Sequence, residues 1–325
     1  MTTALAAGPE WTGGHLQPAP FDLFFAVAAS ERQEWRQISM TTLPENRRGR
    51  LGAALAASLL AAALAALAPA AAQDGSKQMS LVATDEAAPV LSELLPKFKE
   101  QSGIRVDLAI KPASEAATLL RQGKTDAVMT DDPDAEESLL KSEDASKRLD
   151  VMYAELIVVG PASDPARIAG MASVVHAFAA IARTQSPFIS RGDKSGLHRT
   201  ERSIWEEAGT PKPEGAGAWY SEAKGDMAKA LAAAAKGNAY ILADKAAWLQ
   251  FAARGQLVVM VADDPRLQQR FSITLVNPAK HKEVNGANAM AFAEWLISRD
   301  TQLAIGRFVL GGEQPYAPHF GLSGR

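Results

Sequence analysis

The sequence predicts an α/β protein with two lobes, in which mostly parallel sheets are flanked by helices. One observation behind this prediction is that helical and strand patterns alternate from residue 78 onward. The other is a pair of turn signals, Gly160-Pro161 and Asp263-Asp264-Pro265, at which the chain could leave a first lobe and return to it. We therefore expect lobe 1 at 78–160 plus 266–325, and lobe 2 at 161–265.

The elements of lobe 1 follow from residue spacing. Residues 80–82 read as a short strand, and a helix that Gly103 would end carries its apolar face at Val90, Leu91, Leu94, Leu95 and Phe98. Apolar and polar residues alternate over 104–110, which predicts a strand with one buried face. A helix at 116–122, a strand at 126–129 and a polar helix at 136–142 complete this part.

Three short apolar runs predict strands buried on both faces. They lie at 156–159, where Gly160-Pro161 would close the strand, at 257–261 and at 273–276. Helical patterns lie between or after these runs, at 172–183, 200–208, 226–235 and 287–297. This alternation gives the rest of the two lobes.

The N-terminal region reads as an export signal at 40–72. An apolar run at 51–68 follows three arginines and precedes Pro69 and a row of alanines, so we expect cleavage after Ala72. The run is almost long enough to span a membrane, so an uncleaved anchor is the alternative. Residues 1–39 lack periodicity and read as an upstream extension, with Met40 as the start. Whether export is general or twin-arginine stays open.

Composition narrows the function classes. The formal net charge is −3, which argues against a nucleic-acid partner, because that would need a basic surface. There is no cysteine, and the five histidines are scattered without metal-ligand spacing, so we expect no metal site and no cofactor. Asp193, Ser195 and His198 lie too close in sequence to form a hydrolytic relay, and we expect a protein that is not an enzyme.

Several segments carry a family resemblance over nearly all of the exported chain. Its most specific part is FISRGDKSGLHRTERSIWEEAG from Phe188, supported by ELIVVGP at 155–161, AWYSEAKGDM at 218–227, AYILAD at 239–244 and LVNPAKHKEVN at 275–285. In order and spacing these segments resemble the tungstate-binding periplasmic receptors of ABC importers, which are type II solute-binding proteins related to molybdate receptors. The resemblance implies a two-lobed periplasmic binding protein type II fold, closing on a small oxyanion at two hinge crossings.

The resemblance also implies ligand residues in two loops. In the second lobe, Arg191 and Ser195 match the family motif as oxyanion donors, and Gly196 permits close backbone approach. Because a tetrahedral oxyanion offers only acceptors, an arginine fork, hydroxyls and amides at a helix N-terminus suit it. Asp193 would cap the following helix. We expect Arg191→Ala to weaken binding while leaving the stability of the empty protein nearly unchanged.

This chain departs from the family pattern at several of these positions. Only Thr84 keeps a hydroxyl in the first-lobe loop, where Asp85 and Glu86 add negative charge. Lys245 stands where the family commonly has arginine, and a point charge does not replace a bidentate fork. Despite these departures, the family resemblance makes tungstate or molybdate the leading solute. A monomeric periplasmic protein would deliver it to an ABC permease. The alternatives are a different small solute and a sensory role without oxyanion binding.

Overall fold

The computed structural model describes residues 77–210 and 218–320. The predicted upstream extension 1–39 and the predicted export signal 40–72 lie outside these ranges. No helix in the described part of the chain is both long and apolar enough to cross a membrane.

The described residues form ten strands and nine helices. The strands are β1 Gln78–Ala83, β2 Arg105–Ile110, β3 Ala127–Thr130, β4 Ala145–Pro161, β5 Phe188–Ser190, β6 Tyr220–Glu222, β7 Ile241–Asp244, β8 Leu257–Val261, β9 Gln268–Val276 and β10 Tyr316–Pro318. The helices are α1 Ala88–Ser102, α2 Ala113–Arg121, α3 Pro133–Lys141, α4 Val174–Thr184, α5 Gly196–Glu207, α6 Met227–Gly237, α7 Lys245–Gln250, α8 Gly286–Leu296 and α9 Arg299–Arg307.

Local sequence explains how these helices begin and end. Helix α1 buries Val90, Leu91, Leu94 and Phe98 on one face and stops at Gly103, whose φ of +72° suits glycine. Helix α6 begins at Met227, and Asp226 is its N-cap residue, because the Asp226 side chain accepts the Lys229 amide. The predicted glycine stop is confirmed, and so is the predicted face except for Leu95, which is only partly buried.

The sheets are mixed, and the prediction of mostly parallel sheets is wrong. The main sheet has the strand order β10-β4-β9-β3-β1-β2, and β7 and β8 also pair with β4. Among the described strand pairs, β1 with β2, β1 with β3 and β5 with β6 are parallel. The five other pairs are antiparallel. Four of these five pairs involve β4, which runs past two sets of strands and pairs antiparallel with every neighbour, and the fifth joins β3 to β9.

Strand β4 links two hydrophobic cores. Up to Glu155 it pairs with β9 and β10, and from Leu156 it pairs with β7 and β8. Apolar residues of 156–267 form one core, and residues from β1, α1, β9 and α8 dominate the other. We propose that these cores are the two lobes. Strand β4 ends at Gly160-Pro161, as the sequence predicts, although both residues still pair with β8.

The aromatic residues of the core in 156–267 serve packing. Trp219, Tyr220 and Trp248 are all buried in this core. Trp205 lies edge-on to Phe188 with ring centroids 5.0 Å apart, and Tyr220 stacks on Phe188 at 5.9 Å. These contacts fix β5 and α5, the two elements that hold the candidate binding loop.

Candidate functional site

The loop between β5 and α5 positions the predicted oxyanion donors. Ser195 is the N-cap of α5, because its hydroxyl oxygen accepts the His198 amide at 3.3 Å. The expectation that Asp193 caps this helix is therefore wrong. Asp193 instead accepts the Ser195 amide at 3.0 Å and pairs with Arg191 Nε at 2.6 Å. The loop thus holds Arg191 and the start of α5 together.

Arg191 is buried and surrounded by carboxylates. Besides Asp193, its guanidinium pairs with Asp85 at 3.2 Å and forms a short hydrogen bond and ion pair with Glu86. Burial opposes the charge on Arg191, but Glu86, Asp85 and Asp193 outweigh it and raise the pKa of the guanidinium. Glu86 and Arg191 come from different cores, so this pair joins them.

Thr84 offers a hydroxyl beside these carboxylates. It precedes the short 3-10 turn Asp85–Ala87, and its amide donates to the Met129 carbonyl at 3.3 Å. Its side chain is buried and its hydroxyl oxygen has no hydrogen-bond partner. A buried hydroxyl without a partner is costly unless a ligand or water satisfies it, so Thr84 is a credible donor to a solute.

The N-terminus of α5 also faces a carboxylate. A Cβ atom at Gly196 would overlap the Asp131 carboxylate and the Gln269 amide, which hydrogen bond to each other. Burial, opposed by Arg199, raises the pKa of Asp131 to about 6. Arg191 and the α5 N-terminus, the two anion-binding features of this loop, therefore each meet an internal carboxylate from the other core.

Lys245 is predicted to offer its positive charge to the ligand, but in the structure its partners are carboxylates of the protein. Its ammonium pairs with Glu155 at 2.8 Å and with Glu313 at 3.5 Å. The structure brings Thr84, Arg191, Ser195 and Gly196 to one region, whereas the charge of Lys245 is already neutralised by β4 and the C-terminal segment.

A cavity of about 650 Å³ opens beside the Arg191 pairs. Asp85 and Glu86 line it from one side, and Asp226, Asp244 and Phe251 line it from the other. Burial raises the pKa of Asp244 to about 7. Sequence reasoning missed Asp226, Asp244 and Phe251 as cavity residues. The signal for Asp244 was its place at the end of a continuously buried strand, where side chains of α/β proteins often meet a ligand.

Gly196→Ala tests the close packing at α5. We expect the added methyl to displace Asp131 and Gln269 and to lower the free energy of unfolding by about 1–3 kcal/mol, as overpacking does. Urea unfolding would measure this. Gly237→Ala is the matched control, because a Cβ there meets only Ala239 at 3.9 Å. Equal stability of the two variants would contradict the proposed contact.

The two α/β cores share a long strand and meet at the Arg191 ion pairs and the adjoining cavity, which together form the cleft. This arrangement defines a solute-binding protein with type II periplasmic architecture. Residues 68–300 match the PBP superfamily domain. The chain is 34% identical over 234 residues to the tungstate-binding protein TupA of Peptoclostridium acidaminophilum, which covers 71% of this chain and 80% of the relative. The chain therefore belongs to the family of tungstate-binding receptors of ABC importers, within the PBP superfamily.

Solved structures support the same assignment. TupA from Desulfovibrio alaskensis G20 matches with a TM-score of 0.68 and 29% identity, covering 74% of this chain and 98% of that one. The tungstate ABC transporter structure from Geobacter sulfurreducens matches with a TM-score of 0.66 and 30% identity, covering 71% and 98%. The predicted family and the α/β receptor fold are confirmed.

Proposed function

We propose that this chain captures a tungstate-class oxyanion in the periplasm and delivers it to the permease of an ABC importer. The observation that carries the proposal is Arg191, a buried guanidinium at the cleft, held by a loop whose next element is the N-terminus of α5. An arginine fork beside a helix N-terminus is the donor arrangement that an oxyanion requires. The similarity to tungstate-binding relatives supports the same solute class.

Binding would exchange an internal anion for an external one. In the structure the Glu86 carboxylate holds Arg191, so an oxyanion would take its place on the guanidinium. The Thr84 hydroxyl, which has no partner, and the Ser195 hydroxyl would add donors. Because burial and Asp85 raise the pKa of Glu86, the displaced side chain would take up a proton. Oxyanion affinity should therefore increase as the pH falls.

The remaining features fit a transport receptor better than an enzyme. The Nδ1 atom of His198 accepts the Lys194 amide at 3.0 Å, and the Ser195 oxygen accepts the His198 amide, so these bonds support capping rather than a nucleophilic relay. No group of three or more metal-ligating side chains occurs in the described ranges. We propose export through the 40–72 signal and function as a monomer.

Titration of the purified full-length protein with tungstate, molybdate, sulfate and phosphate tests this function. We expect tungstate or molybdate to raise the melting temperature saturably, since a ligand that binds only the folded state stabilises it by mass action. Arg191→Lys keeps the charge but loses the fork, and should reduce affinity by about tenfold or more. Exposed Arg183→Lys is the control and should bind normally. If none of the four oxyanions changed the melting temperature, the proposal would be overturned.

A further inference from the structure

The cavity beside the Arg191 pairs has a chemistry that an oxyanion does not use. Four carboxylate residues line it, Asp85, Glu86, Asp226 and Asp244, and none of the described residues that line it is basic. Asp85 and Glu86 face both Arg191 and the cavity, whereas Arg191 itself does not line it. The cavity is therefore a separate, negatively charged compartment next to the proposed oxyanion donors.

Asp244 supplies an independent indication of a ligand. It is only 1% exposed, and its Oδ1 atom accepts the Ala247 amide at 2.8 Å as the N-cap of α7. Its Oδ2 atom is buried and has no hydrogen-bond partner. A buried carboxylate oxygen without a partner costs free energy, and a donor carrying positive charge is the partner that satisfies it best.

The rest of the lining favours an organic group. Pro89, Met227 and Phe251 contribute apolar surface to the cavity. A volume of about 650 Å³ is within the range of sites that hold small organic molecules. A bare oxyanion would meet four carboxylates there, and the described residues present no cluster of ligands for a metal ion. Carboxylates beside methylene-lined and aromatic surface suit an alkylammonium group.

We propose that this cavity binds an amphipathic organic monocation, with its ammonium group against Asp244 and Asp85 and its carbon chain against Met227 and Phe251. The two carboxylates come from different cores, so the cation would join them. Asp226 already caps α6 and pairs with Lys229, so it contributes less. This site does not depend on the proposed oxyanion function, because Arg191, the main proposed oxyanion donor, does not line the cavity, whereas Asp244 does.

The two sites should differ in their response to pH. The charged groups that face Asp244 are Asp85, Glu86 and Arg191, and burial holds its pKa at about 7. Tyr316, whose hydroxyl donates to the Glu86 carbonyl, is the other titratable group near it. A bound ammonium favours the ionised carboxylate, so cation binding releases a proton and strengthens as pH rises from 6 to 8. Oxyanion binding should change in the opposite direction.

The test is a thermal-shift titration of the full-length protein with n-butylammonium chloride at pH 8 and constant chloride concentration. We expect a saturable rise in melting temperature that neutral n-butanol and magnesium chloride do not reproduce. Asp244→Asn should weaken n-butylammonium by about tenfold or more, because asparagine keeps the helix cap but loses the charge. Asp85→Asn, at a partly exposed position, is a second variant with the same expected direction.

Asp300→Asn is the matched control, since it removes an exposed carboxylate that does not line the cavity. This variant should bind n-butylammonium normally. The cation site is refuted if n-butylammonium gives no saturable shift, or if Asp244→Asn binds it as the unchanged protein does. Tungstate binding to the same samples is scored separately. Loss of the amine response with intact tungstate binding would reject only this site, and the reverse result would reject only the oxyanion function.

Discussion

Arg191→Ala is expected to destabilise the empty protein by about 3–5 kcal/mol at pH 8, in addition to abolishing oxyanion binding. The variant leaves Glu86 buried without its positive partner, and Asp85 and Asp193 lose theirs as well. For a chain of this size such a loss lowers the melting temperature by roughly 6–20 °C. Thermal unfolding followed by circular dichroism would measure the change.

A second substitution separates the ion pair from the packing of the arginine side chain. Glu86→Gln added to Arg191→Ala should recover part of the lost stability, because the buried charge is then absent. Arg183→Ala, at an exposed position, is the matched control and should change stability by less than about 0.5 kcal/mol. If Arg191→Ala had the same melting temperature as the unchanged protein, Glu86 would be neutral in the empty cleft and Arg191 would be free to bind the solute.

This expectation corrects the view of Arg191 that the sequence alone gives. The Arg-Gly-Asp-x-Ser-Gly pattern predicts the binding loop because its residues are consecutive and its turn and helix cap are local. It does not predict that Glu86 holds the guanidinium, since the two residues are 105 positions apart. In the sequence, Asp85 and Glu86 indicate only unfavourable negative charge beside an anion. In the structure they are the counter-ions of Arg191.

The fold shows the same division between local and long-range information. Strand β8 has the bounds that its continuous apolar run predicts, Leu257–Val261. The prediction that it is buried on both faces is wrong, because Val258 and Val259 are 43% and 45% exposed. The first half of β4 is missed because it carries Lys147, Arg148 and Asp150, whose charges find partners only after folding. Arg148 pairs with Glu136 at 2.8 Å, and Arg270 pairs with Asp150 at 3.3 Å.

Two helices were missed for a different reason. Helix α7 has only six residues, too few to show a helical period. Helix α9 is largely polar, although Ser298 caps it by accepting the Thr301 amide. Missing α7 also concealed the role of Asp244. The residue that caps this helix also lines the cavity, so the cation site could not be recognised from the sequence.

The free energy of unfolding should decrease as pH rises from 5 to 8. Burial raises the pKa of Asp131 to about 6, of Asp244 to about 7 and of Glu201 to about 8. An unfolded carboxyl releases its proton near pH 4, so in this interval the folded state holds more protons. The contribution of each buried carboxyl group to the free energy of unfolding is fully present below pH 4. It is lost as the pH rises through the pKa of that group in the folded protein. Urea unfolding at four pH values would measure the decline.

Glu201→Gln isolates the largest of these three pKa shifts. Glu201 is fully buried and accepts hydrogen bonds from Tyr220 at 2.9 Å and Trp205 at 3.3 Å, both of which glutamine can still accept. Each extra proton held by the folded state lowers the free energy of unfolding by about 1.4 kcal/mol for each pH unit of increase. In Glu201→Gln the decline of the free energy of unfolding with pH should therefore be shallower by up to this amount. Glu100→Gln, on the exposed side of α1, should keep the full slope. A flat stability profile between pH 5 and 8, or an unchanged slope in Glu201→Gln, would show that these carboxylates are ionised in the folded protein and that polar contacts offset their burial.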